Sequence, residues 1–452
     1  MKSKGNEPQP SLDMFRSELS NMLNLRHELC QLSELVNWES LEEVFGDFFP
    51  SETGRPATPT RLVVGLFYLK ATFNVSDELL ASRWVENPYW QYFCGEQYLQ
   101  HHLPVDPSSM SRWRKRLKDS GAEKLLEETI LLGLKTEVLK KKDLKKAIVD
   151  TTVQEKNITY PTDTKLYKKG IDLIVQAAKN SNISLKQTYK FVSKKALFKA
   201  GCYYRAKQMK RAGKETKKLK TYLGRVSRDF ERKMEGISEL HDLYSSLLSQ
   251  VNQVLTQTKN SKNKLYSYHA PEVECIGKGK AQKRYEFGVK VSIATPHKRN
   301  FVIGAKALPG NPFDGHTLRN CLDQVQQLTG IRPSQTFVDN GYRGHDEEQS
   351  EVFVARQAKS RKTRAIRKAM KRRSAVEPLI GHLKNNGHLG RNFLKGAHGD
   401  QFNVVMSGVG YNLRAILKKL WLFWASIFWQ FLAMSVTPFL PSSPFLDSGL
   451  LT

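Results

Sequence analysis

The sequence predicts a mixed α/β protein with an all-helical N-terminal part. Three observations carry this reading. Apolar residues recur at helical spacing as far as about residue 125. Short apolar or alternating runs, the pattern of strands, begin near residue 146 and return between about 285 and 355. Between these two sets lies a very basic stretch, about 165–265, that goes back to the helical period. The implied organisation is a helical domain over 1–125, an α/β domain over 140–420 interrupted by the 165–265 insertion, and a hydrophobic tail over 421–452.

In the N-terminal part, "TPTRLVVGLFYLK" gives a helix with Thr58 as N-cap and Pro59 at the first helical position. Leu62, Leu66 and Leu69 then share a face. "SDELLASRWVENP" repeats the plan, with Ser76 as cap and Pro88 closing the element. "SSMSRWRKRLKDSG" follows, capped by Ser108 or Ser109, ended by Gly121, and presenting Arg112, Arg114, Lys115, Arg116 and Lys118. A short basic helix with a Trp behind two amphipathic helices has the form of a major-groove recognition helix. The competing reading is a basic helix that is merely solvated.

The strand signals come next. "KKAIVDTTV" is a buried apolar run ending in Asp150. "RYEFGVKVSIA" alternates, "ATPHKRN" supplies a turn, and "NFVIGAKAL" is a second strand. "DGHTLRNCLDQVQQLTG" forms a helix with Asp314 near its cap and Gly330 after its end. "SQTFVDNGYRG" is again apolar, apolar, acid, ending in Asp339, and "EVFVA" is one more short strand. Within the insertion no Asp or Glu occurs between Leu173 and Lys214, while Tyr189, Phe191, Phe198, Tyr203 and Tyr204 alternate with Lys and Arg. The cations read as a grip on DNA phosphate. The rings read as the core of a helical hairpin.

The totals point the same way. Lys and Arg number 72 against 44 Asp and Glu, a formal charge of +28. Such a field favours polyanions, nucleic acid first among them. The five cysteines, Cys30, Cys94, Cys202, Cys275 and Cys321, are scattered and include no C-x-x-C pair. That argues against a disulfide framework or a structural zinc site and fits reduced thiols in a cytoplasm. The N-terminal "MKSKGNEPQPSLDMF" is polar and has no apolar signal core. The uncharged run over 420–440 reaches membrane-spanning length but holds Gln430 in its middle and Pro438 near its end. It reads as a helix on a core or a drifted tail, with no membrane partner.

Between residues 357 and 399 the chain carries many cations and one acid, Glu377. Singly, Asp150 and Asp339 are ordinary loop-starting residues. With Glu377 they make three carboxylates from separate elements, whose mutual repulsion needs a counter-charge. A divalent metal supplies it, and Mg²⁺ prefers such hard oxygens. For Glu377 a capping box with Ser374 is the alternative. Pro378 makes a helix start near Ser374, or a kink at Pro378, the expected local geometry.

The blocks "VDTTVQEKNITYPTD", "HAPEVECIGKGKAQKRYEFGVKVSIAT", "LPGNPFDGHTL", "FVDNGYRG" and "RRSAVEPLIGHLKNNGHLGRNFLKG" occur in this order. The chain thereby resembles bacterial insertion-sequence transposases with a DDE triad, of the insertion-sequence-five type, from about residue 11 to 420. The resemblance implies an RNase H-like mixed sheet flanked by helices, with Asp150, Asp339 and Glu377 as catalytic and metal-binding residues. It implies two Mg²⁺ ions per site, or Mn²⁺ in their place. It also implies double-stranded DNA partners, namely terminal inverted repeats and target DNA, with a homo-oligomer forming on the DNA in the bacterial nucleoid. The third family block, Y-x-x-R-x-x-x-E-x-x-x-x-x-x-K, is matched by Arg373, Glu377 and Lys384, with Met370 where Tyr is expected. Arg373, Lys384 and Arg343 are then DNA contacts beside the cut. A transposon-derived regulator without catalysis and a structure-specific nuclease on the same fold are the rival readings.

Overall fold

The computed structural model describes residues 17–46, 48, 58–235, 237–277, 283–356 and 363–435, with side chains as far as 423. The polar N-terminal stretch and the end of the 420–440 run lie outside the described residues. The chain forms two compact units, one of Met1–Met110, Glu128–Lys140 and Asn412–Thr452, the other of Ser111–Glu127 and Lys141–Tyr411.

The first unit contains α1 (Leu19–Met22), α2 (Glu28–Leu35), α3 (Trp38–Gly46), α4 (Thr60–Phe73), α5 (Asp77–Glu86) and α6 (Pro88–Phe93). α4 is buried on almost every face, so its leucines lie in the core together with Val63, Val64, Phe67 and Tyr68. Its N-cap is Pro59, which brings no side-chain acceptor, so Thr58 does not cap the helix. The Ser76 cap is formed, its Oγ accepting from the Leu79 amide at 3.1 Å. Asn87 caps α6 by accepting from the amides of Tyr89 and Trp90, and Pro88 occupies the first turn.

α7 (Ser109–Lys135) contributes to both units. Gly121 does not end it: Lys118, at φ 50°, breaks the helical path, and the helix then resumes through Gly121. An added Cβ at Gly121 would lie 2.9 Å from the Leu117 side chain, so the glycine serves close packing across the break and not a stop. Ser108 is itself in helical conformation and makes no side-chain cap.

In the second unit the sheet has the order β2-β3-β1-β5-β6, with β4 also paired to β3. The strands are β1 (Lys146–Glu155), β2 (Glu274–Gly277), β3 (Tyr285–Pro296), β4 (Gly304–Leu308), β5 (Gln335–Val338) and β6 (Glu351–Val354). β1 lies between antiparallel β3 and parallel β5, and β6 is parallel to β5. β1 does not end at Asp150 as its apolar run suggests. It continues through β-branched Thr151 and Thr152 to Glu155, paired throughout with β3. The close approach there requires Gly288, because an added Cβ would fall on the Gln154 carbonyl.

The insertion is built from α8 (Asp163–Asn180), α9 (Lys190–Arg205), α10 (Met209–Met234) and α11 (Ser238–Thr256). They share a core that includes Ile171, Ile174, Leu219, Leu223, Phe230 and Val251. Tyr189 packs against this core and stacks on Tyr222 at 4.7 Å, as expected of a core ring. Phe191, Phe198 and Tyr204 do not: they are 83%, 69% and 43% exposed. α9 buries the small residues Ser193, Ala196 and Ala200 instead, so the two phenylalanines, seven residues apart, share a solvent-facing stripe.

α12 (Leu318–Thr329) follows a 3₁₀ turn over Asp314–Thr317 and is closed by Gly330 at φ 69°. The last helices are α13 (Arg364–Arg372), α14 (Val376–Asn386) and α15 (Gly396–Ser435). Among the described residues no helix is long and apolar enough to cross a membrane.

Candidate active site

An apolar cluster of Ile148, Phe337, Phe353 and Val376 seats the α13–α14 segment on the sheet. Met370, standing where the family pattern has Tyr, packs against it together with Ile366, Ala369 and Ile380. This cluster organises the acids. In extended chain, residues two apart face the same side. Asp150 lies two residues beyond Ile148, Asp339 two beyond Phe337, and Glu377 directly follows Val376. The β1–β5 ladder pairs Lys146 with Gln335, Ala147 with Thr336 and Ile148 with Phe337. Counted on in that register, Asp150 aligns with Asp339 two steps past the last paired residues. The strand acids thus mark the opening of one ladder and not the end of β1.

Each strand acid is fixed locally. Asp150 Oδ1 accepts from the Thr151 amide at 2.8 Å. Asp339 Oδ1 accepts from the Gly341 amide at 2.9 Å and starts the 3₁₀ turn Asn340–Tyr342. Glu377 is placed differently. A 3₁₀ turn over Arg373–Ala375 links α13 to α14, and Pro378 falls in the first turn of α14, where its missing amide costs no helical bond. The capping box is not made: the N-cap is Ala375, and Ser374 Oγ donates to the Lys371 carbonyl at 3.1 Å.

Arg373 stands between two of the acids. Its Nη1 is 3.7 Å from Asp150 Oδ2 and its Nη2 is 3.5 Å from Glu377 Oε1. Asp150 and Arg373 are 14% and 18% exposed, whereas Glu377 is 63% exposed. The guanidinium therefore neutralises the inner acid and tethers the outer one. Among the described residues no three His, Cys, Asp or Glu side chains are grouped to hold a metal ion. The donor chemistry nevertheless fits Mg²⁺, since three carboxylates supply hard oxygens.

Sequence reasoning missed a fourth carboxylate at this edge. An added Cβ on Gly341 would lie 2.9 Å from Asp314 Oδ2 and 3.1 Å from Asp339 Oδ1, so the two acids flank one glycine. Lys290 on β3 holds Asp314 at 3.1 Å and donates to the Pro312 carbonyl at 2.7 Å. Beside them Tyr342 is fully buried, and burial first, then Cys321, Asp150 and Asp314, push its phenol well above its ordinary value. The signal available was the "PFDGHTL" stretch, in which Asp314 reads as a helix cap.

The remaining candidates lie apart from the apolar cluster. Lys384 is on α14, seven residues and so about 10 Å along the helix from Glu377, on the same face. Arg343 is exposed and donates to the Arg356 carbonyl at 3.4 Å. Arg112, Arg114, Lys115 and Arg116 occupy the first half of α7, where Trp113 and Leu117 form the buried side. Arg114 donates to Ser111 Oγ at 3.0 Å.

Comparison with known proteins gives the class. Residues 17–116 match the family model described as a transposase domain (DUF772). The chain is also 43% identical over 196 residues to a protein of Rhizobium meliloti described as an uncharacterized protein, ORF8 in the nfe locus. That match covers 43% of this chain and 94% of the Rhizobium protein. The chain belongs to the same family as the Rhizobium protein, and its transposase domain points to a transposase-related function on DNA. No solved structure matches it significantly.

Proposed function

We propose that the chain is an insertion-sequence transposase of the DDE type, of the insertion-sequence-five class, that binds terminal inverted repeats, cuts at them and joins the 3′ ends to target DNA. The observation that carries the reading is the apolar cluster of Ile148, Phe337 and Val376, from which Asp150, Asp339 and Glu377 issue at one sheet edge. The strand order supports an RNase H-like assignment: β1 has an antiparallel neighbour on one side and two successive parallel strands on the other.

In this reading Asp150, Asp339 and Glu377 would hold the divalent ions, Mg²⁺ or Mn²⁺. Such ions, when bound, polarise phosphodiester oxygens and lower the pKa of water. The chain's own part is to fix two carboxylates on stiff strands and to bring the third from α14. Arg373, freed from Glu377, would turn to DNA phosphate, and Lys384 would clamp the backbone two turns further on. The α7 cations and the insertion would hold the repeat. Asp150→Asn, Asp339→Asn and Glu377→Gln should each remove cleavage of repeat-end DNA while leaving gel-shift affinity within about threefold, because phosphate contacts dominate affinity. Wild-type-like cleavage by any one of them would remove that residue from the site. Cleavage without end joining by the wild-type protein would favour a nuclease, and binding without cleavage a regulator.

A further inference from the structure

On the same α13–α14 segment, a cavity of about 930 Å³ is lined by residues of the second unit alone. Its rim carries Lys142, Lys145, Lys146, Lys298, Lys368 and Lys371. None of these six has an ion-pair partner among the described residues. The cavity's one acid, Asp143, is 4% exposed at its side chain and lies 3.5 Å from Arg299. The floor is apolar, made of Ala365, Ala369, Ala375 and Pro378. The wall is pinned: Arg372 donates at 2.7 Å to the carbonyls of both His297 and Lys298. His297 Nε2 lies 2.9 Å from the Ala369 carbonyl, and burial keeps its ring from adding charge.

Six lysines around one cavity, none of them ion-paired among the described residues, give it a positive field that favours an anion. An apolar floor beneath them is wasted on a bare phosphate. The volume suits a small organic ligand, whose sites run from about 300 to 1,000 Å³. We propose that this cavity binds a nucleotide unit, with its phosphate on the lysine rim and its base or sugar on the alanine–proline floor. The unit comes from an unpaired stretch of a DNA strand, displaced beside the proposed cleavage site. The proposal rests on the DNA-processing reading for its ligand, but it requires no cleavage.

The test uses the full-length protein, a fluorescein-labelled ten-nucleotide thymidine strand, a duplex of equal length, and thymidine 5′-monophosphate as competitor. Ala365 is exposed, so Ala365→Leu fills the apolar lining without changing charge or core and without adding a ring on which a base could stack. It should weaken single-strand binding about fivefold or more, the order of one lost apolar contact in a pocket, and leave duplex binding unchanged. Replacing Lys298, Lys368 and Lys371 together by Ala should reduce the slope of log affinity against log salt by about 2, near 0.7 per lost contact on a single strand. Competition by the free nucleotide assigns the site to any nucleotide, and its failure assigns it to a continuous strand. Single-strand binding by Ala365→Leu equal to wild type overturns the proposal, as does an unchanged salt slope in the triple variant. Repeat-end cleavage on the same preparations reports separately on the transposase reading.

Discussion

Replacing Lys156 by Met tests what holds the strand that carries Asp150. Lys156 immediately follows β1, and its side chain is 4% exposed. Its Nζ lies 2.7 Å from Glu272 and 2.8 Å from Asp400. Asp400 is 5% exposed and also accepts from Asn392 Nδ2 at 2.6 Å. Burial would raise the Glu272 carboxyl, but the Lys156 ammonium together with the backbone amides of Glu272 and Gly396 outweighs it and holds it below its ordinary value. Asp400 is raised, by burial first. Lys156→Met strips the counter-charge from a buried carboxylate, a change that costs about 3–5 kcal/mol. Glu272, 19% exposed, regains some water, which places the expected loss near the lower end, about 3 kcal/mol. Adding Asp400→Asn removes the stranded charge and keeps an acceptor for Asn392, so the double variant should recover about half of that loss. Urea unfolding should be followed by a probe in the second unit, because the two units need not melt together. A single variant within about 0.5 kcal/mol of wild type, or a double variant worse than the single, would refute the clamp.

Three further outcomes are expected. Gly341→Ala should cost about 1 kcal/mol of stability yet lower cleavage by up to about a hundredfold, since its methyl would displace both Asp314 and Asp339, and small displacements at a reacting centre are expensive; unaltered cleavage kinetics would show that neither position matters. The folded protein holds His297 below its ordinary 6.5, chiefly by burial, so the unfolded chain takes up a proton first. That stability is complete above 6.5 and is lost as pH falls below it, and His297→Gln should flatten this limb of the thermal-melt profile. Phe191→Ala with Phe198→Ala should change stability by less than about 0.5 kcal/mol because both rings are exposed. The same pair should weaken single-stranded DNA binding in an anisotropy titration, and an unchanged affinity would reduce the stripe to incidental exposure.

How much was legible follows the range of the interactions. The two runs that lead to Asp150 and Asp339 could be read because Ile148–Val149 and Phe337–Val338 are local apolar runs, and a buried parallel pair needs such runs. The continuation of β1 to Glu155 could not. Thr152 and Gln154 are buried, and the Gln154 side chain is bonded to Asp400 and Asn403 of α15, but their polar identity hides this. The break at Lys118 follows from Leu117 folding over Gly121, a contact that propensity does not encode. Phe191 and Phe198 misled for the opposite reason: aromatic rings announce a core, but the helix buried its alanines. Asp314 escaped notice because its role depends on Gly341, 27 residues later, leaving room for two carboxylates.

The lone acid between residues 357 and 399 can now be placed in its physical setting. Val376 fixes the helix to the sheet, so Glu377 is carried to the acid edge by its neighbour's burial and not by its own charge. Repulsion from Asp150 and Asp339 would drive it away, yet Arg373, four residues earlier on the same face, spans the gap. The pairing with Asp150 is half-sheltered and the pairing with Glu377 is largely in water, so the second is the weaker link and gives way first. A segment with no carboxylate would leave Asp150 compensated but bring no third acid to this edge. A segment with several would forfeit the lysine rim that the neighbouring cavity presents. One exposed glutamate, tethered by one arginine on an otherwise cationic segment, lets the same segment present a carboxylate toward Asp150 and lysines toward the neighbouring cavity.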